Sequence, residues 1–336
     1  MFIKLRKMIL PLALIALVVI VGVRQTRVHA SQGNLDLLVG QTGTVTPSPS
    51  ATPQPSPTVN SPVPTIQPTP AAVQAGLPET RISEKDGMEQ VFVAAGEFTM
   101  GTKDTDAKLT IEGGRAYPEI PSFTYYLDDY WFDKYEVTNG QWKLCVADGV
   151  CKEPNLMRST TRTEYYPLAE FDNYPVLYIS WFMADEYCEW AGRRLPTEAE
   201  WEKAARGNDA RRYPWGNEPI TEERANFCDI TCPKPHANPL FNDGYTDTAP
   251  VGSFPKGASA YGALDMAGNV WEWTSTIPEP YPYDATDGRE AEVGFERVWR
   301  GGTWTNGVWW QRASIRYRSV PTYWYGNLGF RCAATD

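Results

Sequence analysis

Six cysteines and two histidines are the residues of this chain best suited to hold a soft metal or act as nucleophiles. Cys228, Cys232 and His236 stand at the spacing C-x3-C-x3-H, which could suit a thiolate metal centre. No fourth ligand is evident, and Pro233 and Pro235 break any helix that might otherwise present the three together. Disulfides account for the cysteines more simply. Their number is even, and Cys145–Cys151 and Cys228–Cys232 each flank a short loop that could close locally. That leaves Cys188 with Cys332 as a long-range link. A second cluster runs from Arg300 to Arg318, RGGTWTNGVWWQRASIRYR, with four arginines, three tryptophans and a tyrosine but no cysteine, histidine or acid. Alternation along its end puts Ser314, Arg316 and Arg318 on one face of a strand. With Trp304, Trp309 and Trp310 nearby, this reads either as an ordinary strand with an exposed basic face or as a cleft for an acidic or aromatic ligand.

The elements that would position these residues follow from local signals. Glu89 to Thr102 alternates as a strand does, with Val91, Val93, Phe98 and Met100 apolar. Thr138–Gln141 and Thr197–Glu200 fit capping boxes, and Ser180 is a third N-cap. The three helices should stop near Gly149, Gly192 and Gly207. Beyond Gly207, Gly, Pro, Asn and Asp punctuate the chain too often for long periodic segments. Short strands and long ordered loops are expected there, packed by rings, since all 13 tryptophans follow residue 130. Trp271 and Trp273, flanking Glu272, read as core or, alternatively, as the lining of a binding cleft.

The N-terminal part is of another kind. Lys4, Arg6 and Lys7 precede the apolar run Met8–Val23, and Val28-His29-Ala30 resembles a cleavage site. Residues 1–30 therefore read as a signal peptide or, if uncleaved, an anchor; that anchor would be the chain's one membrane contact. Residues 31–78 read as a disordered linker rich in Pro, Ser and Thr, with nine prolines between Thr46 and Pro70. Residues 79–336 read as one globular domain. The first 78 residues hold five of the 31 basic and one of the 41 acidic residues, so this domain has 26 and 40, a net charge of −14. Such a domain repels phosphate backbones, which excludes nucleic acid as a partner, but it can supply oxygen ligands to hard cations. Export to an extracytoplasmic, oxidising compartment agrees with the cysteine reading.

Seven phrases in order then identify a family resemblance. They are YEVTNGQW (135–142), YPVLYISWFMADEYCEWAGRRLPTEAEWEKAARG (174–207), YPWGNE (213–218), TAPVGSFP (248–255), YGALDMAGNVWEWT (261–274), RGGTW (300–304) and NLGFRCA (327–333). Together they resemble the formylglycine-generating enzyme, or sulfatase-modifying factor, domain. The resemblance implies an α+β fold, a variant of the C-type lectin-like fold with little regular secondary structure. It also implies the Cys188–Cys332 disulfide.

Enzymes of that family oxidise a cysteine of a sulfatase to formylglycine, using oxygen and a copper ion bound by two cysteines. Here the two positions fall on Asn306 and Ser314. Neither an amide nor a hydroxyl replaces a thiolate for Cu(I), so copper is not expected. With His236 the lone histidine after the signal, a three-histidine iron site is excluded too. The resemblance further implies two structural calcium sites. One comprises Asn226, the carbonyl of Phe227, Asp243 and the carbonyl of Tyr245; the other comprises Asp265, the carbonyls of Gly268 and Val270, and Glu272. These mixed oxygen ligands suit calcium. The expectation is a calcium-stabilised accessory module that binds a peptide, protein or glycan; the alternative is a formylglycine-generating oxidase.

Overall fold

The computed structural model describes residues 78–104 and 118–336. The expected signal (1–30) and, apart from Pro78, the linker (31–78) lie outside the described residues.

The three helices form where their caps place them. α1 (Asn139–Ala147) starts at Thr138, whose Oγ1 accepts the Gln141 N–H at 3.2 Å while Gln141 Oε1 accepts the Thr138 N–H at 3.0 Å. Ser180 caps α2 (Trp181–Trp190), and the Thr197–Glu200 box caps α3 (Glu198–Arg206). Gly207 ends α3 with φ 66°, a conformation that disfavours a residue with a Cβ.

The strands are short, as the punctuation suggests. β1 (Thr80–Ile82), β2 (Glu89–Val93), β5 (Tyr130–Asp133) and β10 (Ala333–Ala334) form one antiparallel sheet in the order β1-β2-β5-β10. β3 (Gly96–Met100) and β4 (Phe123–Leu127) pair separately. The alternation read between Glu89 and Thr102 therefore belongs to two strands in different sheets. The third sheet carries the residues of interest. Its order is β8 (Tyr317–Ser319), β7 (Arg297–Arg300), β6 (Trp271–Trp273), β9 (Leu328–Phe330), with β6 and β9 parallel and the other pairs antiparallel.

Register gives this third sheet two unlike faces. Trp273 pairs with Trp299, which pairs with Tyr317, so one face is a row of rings. Glu272 pairs with Arg300 on the opposite face, beneath α3. There Trp201 Nε1 donates to Glu272 at 2.7 Å, and Arg300 pairs with Glu202. Both faces are buried in different ways: one by aromatic packing, the other by ion pairs.

All six cysteines are disulfide-bonded, in the pairs Cys145–Cys151, Cys188–Cys332 and Cys228–Cys232. The thiolate metal centre considered at Cys228, Cys232 and His236 is thereby ruled out. His236 Nε2 instead lies 2.8 Å from the Thr305 carbonyl oxygen. Cys188–Cys332 ties α2 to the strand end before β10 across 144 residues, whereas Cys145–Cys151 closes 6. Chain entropy predicts that Cys188→Ser/Cys332→Ser costs about 5 kcal/mol and Cys145→Ser/Cys151→Ser about 2 kcal/mol. Urea denaturation of the two double variants checks that order.

Candidate functional site

The Arg300–Arg318 stretch leaves β7, crosses a short 3-10 turn at Val308–Gln311 and re-enters the sheet at β8. Its four arginines all meet carboxylates. Arg300 pairs with Glu202, and its Nη1 also lies 3.5 Å from Glu198. Arg316 Nε and Nη2 donate to the two oxygens of Glu198 at 2.5 and 2.7 Å. Arg312 makes a two-point pair with Glu119 at 2.6 and 2.9 Å, and Arg318 meets Glu296 at 2.8 Å.

Of the two readings of Ser314, Arg316 and Arg318, an exposed basic face or a cleft, neither holds for Ser314 and Arg316, which are buried, while Arg318 stays partly exposed. The strand begins only at Tyr317, Arg316 is fully buried, and Ser314 Oγ donates to Glu119 at 2.6 Å inside the protein. Trp304 does not line a cleft either: it is 1% exposed and packs on the Cys228–Cys232 disulfide. Trp309 is partly covered by Arg312, whose guanidinium carbon lies 3.9 Å from its ring centroid.

Of the six residues expected in a cleft, Trp310 lines a hollow. This hollow, of about 240 Å³, is walled by Trp271, Trp299, Asn306, Trp310, Tyr317, Tyr325 and Asn327. Trp271 stacks on Tyr317 with centroids 5.7 Å apart; Trp310 stands edge-on to Tyr317 at 6.1 Å. Asn306, the first family cysteine position, sits in the wall, held by its carbonyl accepting from Cys228 N at 2.9 Å. Trp271, read from the sequence as core or cleft lining, is 4% exposed and contributes to this wall, whereas Trp273 is fully buried. Trp299, Tyr325 and Asn327 escaped the sequence reading. The RVWR alternation of β7, which sets Trp299 against Arg300, is the signal that points to the first. A larger hollow of about 400 Å³, beside Tyr135, Thr138 and Gln141, contains none of the candidate site residues named from the sequence.

The two acidic sets lie back to back. Asn226 O accepts from Asn269 N at 2.9 Å, and a Cβ on Gly268, whose φ is 91°, would come within 2.1 Å of that same oxygen. Among the described residues, no three acidic, histidine or cysteine side chains group so as to hold a metal ion. Any cation here would depend on carbonyl and amide oxygens as well.

The first set fits that requirement. Asn226 Oδ1 is buried without a partner. Burial, with a contribution from neighbouring Asp229, raises the Asp243 carboxyl to about 7. Asp229, absent from the expected set, accepts the Asp243 N–H at 2.6 Å. In the second set Glu272 is already bonded to Arg331 through both oxygens and to Trp201. Glu136 and Asp265 add to the charge around the same Arg331, so the acids there outnumber the one guanidinium. Burial raises Asp265 to about 6 and pushes Glu136 well above its ordinary range, with the neighbouring acids adding to the effect on both.

These features define a disulfide-braced, loop-rich α+β domain without a free thiol. Residues 74–336 match the family described as the sulfatase-modifying factor enzyme 1-like domain, and the chain belongs to that family. It is 33% identical over 295 residues to the formylglycine-generating enzyme of Thermomonospora curvata, covering 73% of this chain and 92% of that protein. It is 40% identical over 167 residues to the inactive C-alpha-formylglycine-generating enzyme 2 of Mus musculus, covering 48% and 49% of the two. Among solved structures, PvdO from Pseudomonas aeruginosa matches with a TM-score of 0.61 and 27% identity, over 78% of this chain and 100% of that one. The fold is accordingly the formylglycine-generating-enzyme variety expected.

Removing one half of the pair beside Ser314 should expose how much the segment depends on it. Arg312→Met leaves Glu119 as an uncompensated buried charge and should cost about 3–5 kcal/mol, whereas Glu119→Leu/Arg312→Met should recover most of that loss. Urea midpoints of the two variants make the comparison.

Proposed function

We propose that this domain is a non-catalytic, calcium-stabilised binding module of its family, working outside the cytoplasm. The observation that carries this reading is the lack of any thiol at the family's copper positions. These hold Asn306 and Ser314, and every cysteine is in a disulfide. Cu(I) has no thiolate to bind, and a hydroxyl committed to Glu119 does not replace one. The relative in Mus musculus named as inactive is a precedent within the family for loss of the activity.

The hollow is then a ligand site rather than a reaction site, open to part of a peptide, protein or glycan. Residues 1–30 would direct export, with the signal cleaved or retained as an anchor, and residues 31–78 would tether the domain at a distance. Disulfides support an oxidising compartment. Calcium would be held by Asn226 Oδ1, Asp243 and the carbonyls of Phe227 and Tyr245 in one set. Asp265, Glu272 and the carbonyls of Gly268 and Val270 would hold it in the other. Its contribution would be to fix acidic loops that carry few strands.

Two measurements test this. The protein incubated with Cu(I), oxygen and a peptide bearing a sulfatase-type cysteine should leave the thiol mass unchanged; accumulation of the aldehyde would establish the oxidase reading instead. Removal of calcium with a chelator should lower the melting temperature by roughly 5–10 °C, as expected for a ligand present at about 100 times its Kd. An unchanged melting curve would count against both calcium sets.

A further inference from the structure

Resting on the binding-module reading, we propose that the aromatic hollow takes a neutral sugar ring of an oligosaccharide. The seven lining residues include no charged group, so neither an acidic nor a basic ligand is compensated there. Two of them carry buried polar atoms without partners: the Trp299 indole N–H, a donor, and Asn306 Oδ1, an acceptor. Buried polar atoms are almost always bonded, so an orphan donor and an orphan acceptor on two residues of one hollow favour a ligand that supplies both roles.

A sugar ring carries several hydroxyls, each both donor and acceptor. A proline residue offers a carbonyl to Trp299 but no N–H for Asn306, so a proline-rich peptide meets both roles only through its other residues.

The apolar part of the wall agrees. Trp271, Trp310, Tyr317 and Tyr325 present ring surface, and a ring's negative face attracts the weakly positive C–H groups along one side of a pyranose. The hollow's volume of about 240 Å³ suits one ring, being below the roughly 300–1,000 Å³ of pockets that hold drug-sized ligands. Tyr325 also borders a second, shallower hollow with Thr322, Tyr323 and Trp324. Tyr323 and Trp324 are 47% and 39% exposed, so they leave aromatic surface where an adjoining sugar would lie. The acidic sets do not line either hollow, so no sugar hydroxyl needs to reach a cation.

The test is a titration of the full-length protein, followed by tryptophan fluorescence and calorimetry, with cellohexaose, laminarihexaose, chitohexaose and mannohexaose. At least one should bind saturably. Trp310→Ala should weaken that binding roughly tenfold or more, and Trp299→Phe, which keeps a ring but removes the donor, roughly three- to tenfold. Circular dichroism and melting should confirm that both variants fold. Failure of all four sugars to bind overturns the proposal, as does binding that neither substitution weakens. If a peptide spanning residues 46–70 binds in a Trp310-dependent way and no sugar does, the occupant is a proline-rich peptide and the proposal falls. Aldehyde formation in the copper assay would remove the binding-module reading while leaving the sugar titration separately readable. Silence in both assays would remove the sugar proposal alone.

Discussion

All nine residues of α3 are buried, and five of them are charged. A charge taken out of water is tolerated only when it is paired and hydrogen-bonded, so this helix imposes a demand on everything packed around it. Arg194 answers Glu200, Arg316 answers Glu198, and Arg206 and Arg300 converge on Glu202. Lys203 donates to the carbonyls of Ala94 and Gly96 at 2.7 and 3.0 Å. The helix is thereby joined to the β3 region, to the third sheet at Arg300 and to the segment after β7. None of these contacts would form if α3 were displaced by a turn.

That demand explains why an arginine-rich stretch looks like a reaction centre without being one. Arg300 and Arg316 are drawn to α3, and Arg312 to Glu119. Arg300 also donates to the carbonyls of Ser314 and Ile315 at 2.9 and 2.8 Å. The path of the chain through Ser314 is held by its main-chain acceptors and neighbouring guanidinium groups, and the Ser314 hydroxyl adds its own bond to Glu119. The opposite face of the same sheet is free of this ionic lattice, and there the rings assemble.

Apart from the Cys188–Cys332 link, which spans 144 residues, what could be read from the sequence was local. Capping boxes at Thr138 and Thr197 act over three residues, and two of the disulfides close short loops; all formed as expected. The ordered phrases identified the family because each is a compact piece of chain. The burial of Arg316 and Ser314 was not legible, because their partners Glu198 and Glu119 lie 118 and 195 residues away. Strand alternation was applied to residues 314–318 as though the strand spanned them, but it starts at Tyr317. The hollow was half legible for a related reason. Trp310 and Asn306 belong to the conspicuous stretch, while Trp271, Trp299, Tyr325 and Asn327 arrive from separate strands and their flanks and meet only in the folded sheet.

Asn269 connects the acidic loops to that hollow. Held at φ 52°, it accepts through its side-chain oxygen from Asn226 Nδ2 at 3.2 Å and from Ala249 N at 3.0 Å. Its side-chain amide donates to Glu136 at 2.6 Å. Its main-chain oxygen accepts from Trp304 N at 3.0 Å and Thr303 Oγ1 at 2.9 Å, the residues that lead directly to Asn306. A left-handed conformation at a residue with a Cβ persists only where surrounding contacts over-determine it. Here those contacts come from both acidic sets at once. A cation that steadied either set would steady Asn269, and through Thr303 and Trp304 it would fix where Asn306 stands in the wall. Asn269 thus bonds to the acidic loops on one side and to the segment leading into the wall on the other.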